Sequence, residues 1–121
     1  MGCGAVKILV VDDHKHIRLL FKEELEEDGY LIDVASDGFE ALDKLNNQQF
    51  DLVVLDLRMP GMDGMETLSE IKRLNGDQRV VLCSASDELR PDLSGWASVG
   101  YAVKSSDIRE LKYAIKNLLE A

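Results

Sequence analysis

Phe50 to Gly64 reads FDLVVLDLRMPGMDG. Four apolar residues, Leu52 to Leu55, run without a break into Asp56, and Arg58 to Gly64 then forms a loop rich in breakers. A strand that is apolar at every position buries both of its faces. It belongs in the middle of a parallel sheet with helices above and below. Asp56 places a charge at the end of such a strand, and that charge needs a reason.

The neighbouring stretches repeat the pattern. Ile8–Val11 is a second continuous apolar run, and it ends in two adjacent carboxylates, Asp12 and Asp13. Helix-period residues follow, Ile17, Leu20, Phe21 and Leu25, with Gly29 placed to cap the C-terminus. Leu31–Val34 reads as a short strand carrying Asp33. Phe39, Leu42 and Leu45 mark a second helix with Asp37 as its N-cap. Beyond the breaker loop, Met65, Leu68, Ile71 and Leu74 mark a third helix. The strand RVVLCS, a fifth strand YAV and a last helix complete the series. That helix carries Ile108, Leu111, Ile115, Leu118 and Leu119 on one face.

Strands alternating with helices mean βαβ units. The first, third and fourth runs are continuously apolar, as central strands are; the second and fifth are shorter or more polar, as edge strands are. With right-handed crossovers the simplest order is 2-1-3-4-5, a doubly wound five-stranded parallel sheet of the flavodoxin-like class. The exception to regularity is DELRPDLSGWASVG, where Pro91 and Gly95 disfavour a long helix between strands four and five.

Composition narrows the function classes. The 121 residues, 45% hydrophobic, suit one domain spanning the whole chain, with residues 1–5 as a frayed start. No apolar run is long enough to span a membrane, and MGCGAVK lacks a signal-peptide core. A net charge of −9 disfavours direct nucleic-acid binding. Cys3 and Cys83 form no CxxC pair; Cys83 reads as an inert core residue and Cys3 as a free thiol, which suits a reducing, cytoplasmic setting.

In the order 2-1-3-4-5, strands one and three are neighbours about 4.8 Å apart. Their carboxyl ends lie at the topological switch point, where such folds bind ligands. Asp12, Asp13 and Asp56 therefore meet in one crevice. Two like charges at 4 Å repel by about 4 kcal/mol at an effective dielectric of 20. Raised pKa values or a bound cation must offset that. Hard oxygen donors few in number suit Mg²⁺, which keeps waters and completes its shell with phosphate. Read singly, Asp13 would serve as a helix N-cap; three carboxylates at the ends of two adjacent central strands need another account. Ser84 ends strand four. Lys104 ends strand five, about 10 Å from Asp56, a gap that a lysine side chain largely spans. With the cation they could hold three oxygens of a phosphoryl group. Read alone, Ser84 is an ordinary strand-end serine, and Lys104 an ion-pair partner or a surface lysine.

ILVVDD, DLVVLDLRMPGMDGMETL, VVLCSAS and GYAVKSS, in that order, resemble the successive signatures of the receiver domain of bacterial two-component response regulators. The resemblance runs from about Val6 to Leu119. It implies that Asp56 is the phosphoacceptor, taking its phosphoryl group from a sensor histidine kinase or a phosphotransfer protein. It implies Mg²⁺ held by Asp12, Asp13 and Asp56, with Asp13 the direct ligand, and by the backbone carbonyl of Arg58. Ser84 would hydrogen-bond the phosphoryl group, Lys104 would pair with it, and Tyr101 would be the switch aromatic that turns inward with Ser84. Activity would be limited to the chain's own phosphorylation and slow dephosphorylation. A downstream protein or output domain would read the switch, and the chain would be a monomer or weak homodimer.

Three departures qualify the likeness. Ser105 follows Lys104 where the family usually has proline, so the Lys104–Ser105 bond could be trans or strained. Position 84 holds Ser rather than the commoner Thr. The segment with Pro91, Gly95 and Trp96 is irregular, and Trp96 either fills the core or anchors a partner. The first departure leaves an alternative: a receiver-like binding module that signals without phosphorylation. A metabolic Mg²⁺ phosphatase is disfavoured, because no DxD follows the third strand and no cap insertion is present.

Overall fold

The structure, a computed structural model, describes residues 5–85, 91–104 and 107–120. Among the described residues five strands and four helices follow one another, alternating as far as β4: β1 Lys7–Val11, α1 Lys15–Glu27, β2 Leu31–Ala35, α2 Gly38–Asn47, β3 Leu52–Asp56, α3 Gly64–Leu74, β4 Arg79–Ser84, β5 Val99–Val103 and α4 Arg109–Glu120. The strands are all parallel, in the order β2-β1-β3-β4-β5. The expected topology holds. β2 is one residue longer than expected, and β5 begins two residues earlier.

Successive residues of a strand point to opposite faces, so each central strand feeds two cores. Leu9, Val11, Val53, Leu55, Val80 and Leu82 pack with Ala41 of α2 and with Leu68 and Ile71 of α3. Ile8, Val10, Leu52, Val54, Val81 and Cys83 pack with Phe21 and Leu25 of α1 and with Leu111 and Ile115 of α4. This is why β1, β3 and β4 lack polar alternation: neither face sees water. Cys83 is buried, and burial pushes its thiol up to about 12, so it is an inert core residue.

Local signals set the helix ends. Asp37 caps α2 by accepting from the Glu40 N–H at 2.8 Å. Asp63 and Glu66 form a reciprocal capping box at the start of α3, at 2.9 and 3.2 Å. Gly29, at φ 92°, turns the chain out of α1 as expected. The start of α1 differs from the N-cap expectation: His14 is the N-cap, and its side chain makes no capping hydrogen bond.

Three apolar assignments change; Leu74, the last residue of α3, is 52% exposed. Phe39 is 63% exposed, because α2 faces the core through Gly38, Ala41 and Leu45, and position 39 lies about 100° off that stripe. Leu20 is 41% exposed for the same reason, since α1 packs through Phe21 and Leu25. Between β4 and β5, residues 91–98 form turns rather than a helix. Leu93 and half-buried Trp96 pack against the core there, so Trp96 takes the core-filling role. Cys3 and Ser105, and with Ser105 the Lys104–Ser105 bond, lie outside the described residues.

Candidate functional site

Backbone ladders set the site before any side chain is considered. Val11 pairs with Leu55, Asp56 with Cys83, and Ser84 with Val103. Single hydrogen bonds carry the register past the strand ends: Asp12 N–H to the Ala35 carbonyl at 3.1 Å, Leu57 N–H to Cys83 at 2.8 Å, and Lys104 N–H to Ser84 at 2.6 Å. Asp12, Asp56, Ser84 and Lys104 thus come together at the carboxyl edge of the sheet.

Asp12 is 2% exposed and fully engaged. Its Oδ1 accepts from the His14 backbone N–H at 2.8 Å and lies 3.1 Å from His14 Nδ1. Its Oδ2 accepts from Lys104 Nζ at 2.8 Å, and its carbonyl accepts from Arg18 Nη1 at 2.7 Å. Asp56 is 3% exposed and less engaged. Its Oδ1 accepts a long bond from the Arg58 N–H, at 3.3 Å. Its Oδ2 lies 3.3 Å from Lys104 Nζ, an ionic contact without hydrogen-bond alignment. Asp13 Oδ1, 3.2 Å from His14 Nδ1, is likewise shielded from water and makes no hydrogen bond.

Those two bare oxygens are the test of a cation. Burying a carboxylate oxygen without a hydrogen bond costs free energy that a bound cation would offset. One atom each from Asp12, Asp13, His14 and Asp56 lie within 4.8 Å of one another. Three carboxylates against one lysine leave the cluster negative. Burial, followed by the Asp12 charge, raises the Asp56 pKa, and Lys104 pulls the other way. Burial alone would lower Lys104; its hydrogen bond to Asp12 and the charges of Asp56 and Asp12 outweigh that and raise it. The donor set, hard oxygens at a net negative site, fits a small divalent cation.

Ser84 is 2% exposed at the end of β4, one residue beyond the Cys83 partner of Asp56. Tyr101 is 8% exposed, stands opposite Leu82 and packs in the core between the sheet and α2 and α3. It lies outside the carboxylate cluster, in the inward position. Arg58 has an exposed side chain and reaches Asp56 through its N–H.

Three features escaped the sequence reading. His14 joins the cluster, although Asp12-Asp13-His14 stood in plain view. Lys104 reaches past Asp56 to Asp12. Arg18, one turn into α1, fixes the Asp12 backbone. The signal for Arg18 was its spacing: position 18 follows the N-cap by four, which turns its side chain back toward the strand end.

Comparison with known proteins agrees with the geometry. The family model "Response regulator receiver domain" matches residues 8–116. The sporulation initiation phosphotransferase F of Bacillus subtilis is 36% identical over 115 residues, covering 93% of each chain. The transcriptional regulatory protein ResD of the same organism is 38% identical over 114 residues, which are 93% of this chain and 48% of ResD. The chain spans about half the length of ResD and of the mycobacterial response regulators MprA that it also resembles. The crystal structure of response regulator TrrA of Thermotoga maritima with Mg²⁺–BeF superimposes with a TM-score of 0.86 at 48% identity, covering 93% of this chain and 98% of that one. TrrA in complex with the histidine kinase ThkA gives a TM-score of 0.85 at 47% identity, covering 94% and 98%.

Proposed function

The chain belongs to the response regulator receiver family, and from that premise we propose that Asp56 accepts the phosphoryl group of a two-component signal. The observation that carries the assignment is the Asp56 carboxylate itself. It is buried at the end of a central strand, with one oxygen, Oδ2, free of hydrogen bonds and 3.3 Å from an ammonium.

The roles follow from what each atom is already doing. The Arg58 N–H on Oδ1 leaves Oδ2 as the attacking oxygen. Asp56 attacks as the carboxylate, so no general base is required. Asp13, whose Oδ1 makes no hydrogen bond, would be the direct ligand for Mg²⁺; Asp56 and the carbonyl of Arg58 would share it, and Asp12, already held by His14 and Lys104, would orient the set. Bound Mg²⁺ would supply charge neutralisation for the transferring phosphoryl group. Lys104, at the mouth of both Asp12 and Asp56, offsets the charge that remains. Ser84 donates its hydroxyl to a phosphoryl oxygen, and Tyr101, inward in this structure, shifts its population with Ser84.

The donor is a phosphohistidine on a sensor kinase or phosphotransfer protein, as the complex of TrrA with a histidine kinase suggests by analogy. Residues 1–121 act as one receiver unit, monomeric or weakly dimeric, in the cytoplasm. No helix among the described residues is long and apolar enough to cross a membrane.

Incubation with Mg²⁺ and a small-molecule phosphodonor tests the proposal by intact mass. The native chain should gain one labile phosphoryl group, and Asp56→Asn should gain none. Mg²⁺ binding without any uptake would favour a receiver-like module that signals without phosphate.

A further inference from the structure

Resting on the receiver reading, we propose that His14 is a further side-chain ligand of the cation site and that it opens the site to zinc-like divalent ions that favour nitrogen. The ring nitrogen Nδ1 stands 3.1 Å from Asp12 Oδ1 and 3.2 Å from Asp13 Oδ1. It therefore faces the same point as the carboxylate oxygens. Asp56, 3% exposed and with its Oδ2 buried without a hydrogen bond, contributes a carboxylate oxygen from the other strand, and all four residues offer an atom within a 4.8 Å span.

The backbone and the ring have different constraints. The His14 N–H is tied to Asp12 Oδ1 at 2.8 Å, which fixes where the side chain starts. The side chain itself is 55% exposed, so the imidazole can turn to present a lone pair. Carboxylate oxygens only accept, so without an ion Nδ1–H donates to Asp12 Oδ1; a bound cation would take the place of that proton and use the nitrogen's lone pair. Mg²⁺ gains little from imidazole, because it prefers six oxygens and keeps its waters. Zn²⁺ takes nitrogen and oxygen together and tolerates four ligands. Two or three carboxylate oxygens with one imidazole form such a set.

His16 is the chain's other histidine. Its ring meets the His14 ring edge-on with centroids 5.8 Å apart, and it lies outside the four-residue cluster. It supports the His14 ring and takes no ligand position.

The test uses the full chain with Cys3→Ser, which removes a competing thiol. Zn²⁺ and Mg²⁺ affinities are measured separately by calorimetry or competition, and imidazole ¹⁵N shifts are followed on adding each ion. His14→Gln should weaken Zn²⁺ binding on the order of tenfold or more and leave Mg²⁺ within about threefold. Zn²⁺ should move the His14 Nδ1 resonance, and Mg²⁺ should not. His16→Gln should change neither affinity. Equal Zn²⁺ affinity in native and His14→Gln chains, or a Zn²⁺ response confined to His16, overturns the inference. Failure of the receiver reading has a different signature: the native chain would then gain no phosphoryl group from a small-molecule donor in Mg²⁺, whatever Zn²⁺ does.

Discussion

Lys104, at the end of β5, places its ammonium 2.8 Å from the carboxylate of Asp12, at the end of β1, although β3 and β4 stand between those strands. On the way it passes Asp56 at 3.3 Å. One cation thus ties three strands at the sheet's carboxyl edge, and it is the main protein charge opposing three aspartates. Removing it leaves buried carboxylates without compensation. Lys104→Ala should destabilise the metal-free chain by about 3 kcal/mol. The loss should shrink in saturating Mg²⁺ and in an Asp56→Asn background. Denaturant melts of the native, Lys104→Ala, Asp56→Asn and doubly substituted chains, each with and without Mg²⁺, measure this; a cost independent of both would contradict the charge argument.

The Asp56 carboxyl holds its proton to higher pH than it does in the unfolded chain, because burial and the Asp12 charge raise its pKa. Where the native state binds more protons than the unfolded state, stability falls as pH rises. The ionised group is therefore a cost above its folded pKa. In chelator, Asp56→Asn should melt higher than the native chain near neutral pH. The two curves should converge in acid, below the unfolded pKa. A native chain that melts higher at pH 7, or a gap that does not change with pH, would show that Lys104 outweighs burial.

Asp13 Oδ1 lacks a hydrogen bond where Asp12 has several. A cation that uses the bare oxygen stabilises the folded state by mass action. Mg²⁺ at a hundred times its Kd should add about 2.7 kcal/mol. Asp13→Ala should abolish that gain while leaving the metal-free stability nearly unchanged or slightly raised. A melt insensitive to millimolar Mg²⁺ would argue against the metal site.

Gly64 begins α3 against the backbone that carries Asp56. A Cβ there would fall 2.5 Å from the Asp56 carbonyl and 2.5 Å from Leu57 Cα, both backbone atoms that cannot turn aside. Gly64→Ala should cost about 1–3 kcal/mol and weaken Mg²⁺ binding through displacement of the Arg58 segment. Gly76→Ala, whose nearest neighbour would lie 3.9 Å away, is the matched control. Equal melts for the two variants would mean the loop absorbs the clash.

What could be read in advance follows from what is local. Continuous apolar runs told central strands from edge strands, and that ordering alone brought Asp12, Asp13 and Asp56 to one edge. The exposed position of Phe39 was not legible, because the choice between it and Ala41 depends on how closely α2 and α3 approach at Gly38. A Cβ on Gly38 would meet Thr67 Oγ1 at 2.3 Å. The α3 capping box was legible in Asp63-x-x-Glu66 but was read only as part of a breaker-rich loop. His14 and the long reach of Lys104 are side-chain choices made across strands. No periodicity encodes them.

The central claim is that the phosphate sits on Asp56, and chemical trapping tests it most directly. Phosphorylated protein is treated with borohydride, which reduces an aspartyl phosphate to homoserine, and its peptides are sequenced by mass spectrometry. Homoserine at position 56, dependent on both phosphodonor and Mg²⁺, is the predicted result. Homoserine at position 12 or 13, or phosphate recovered only on other residues, would contradict the account.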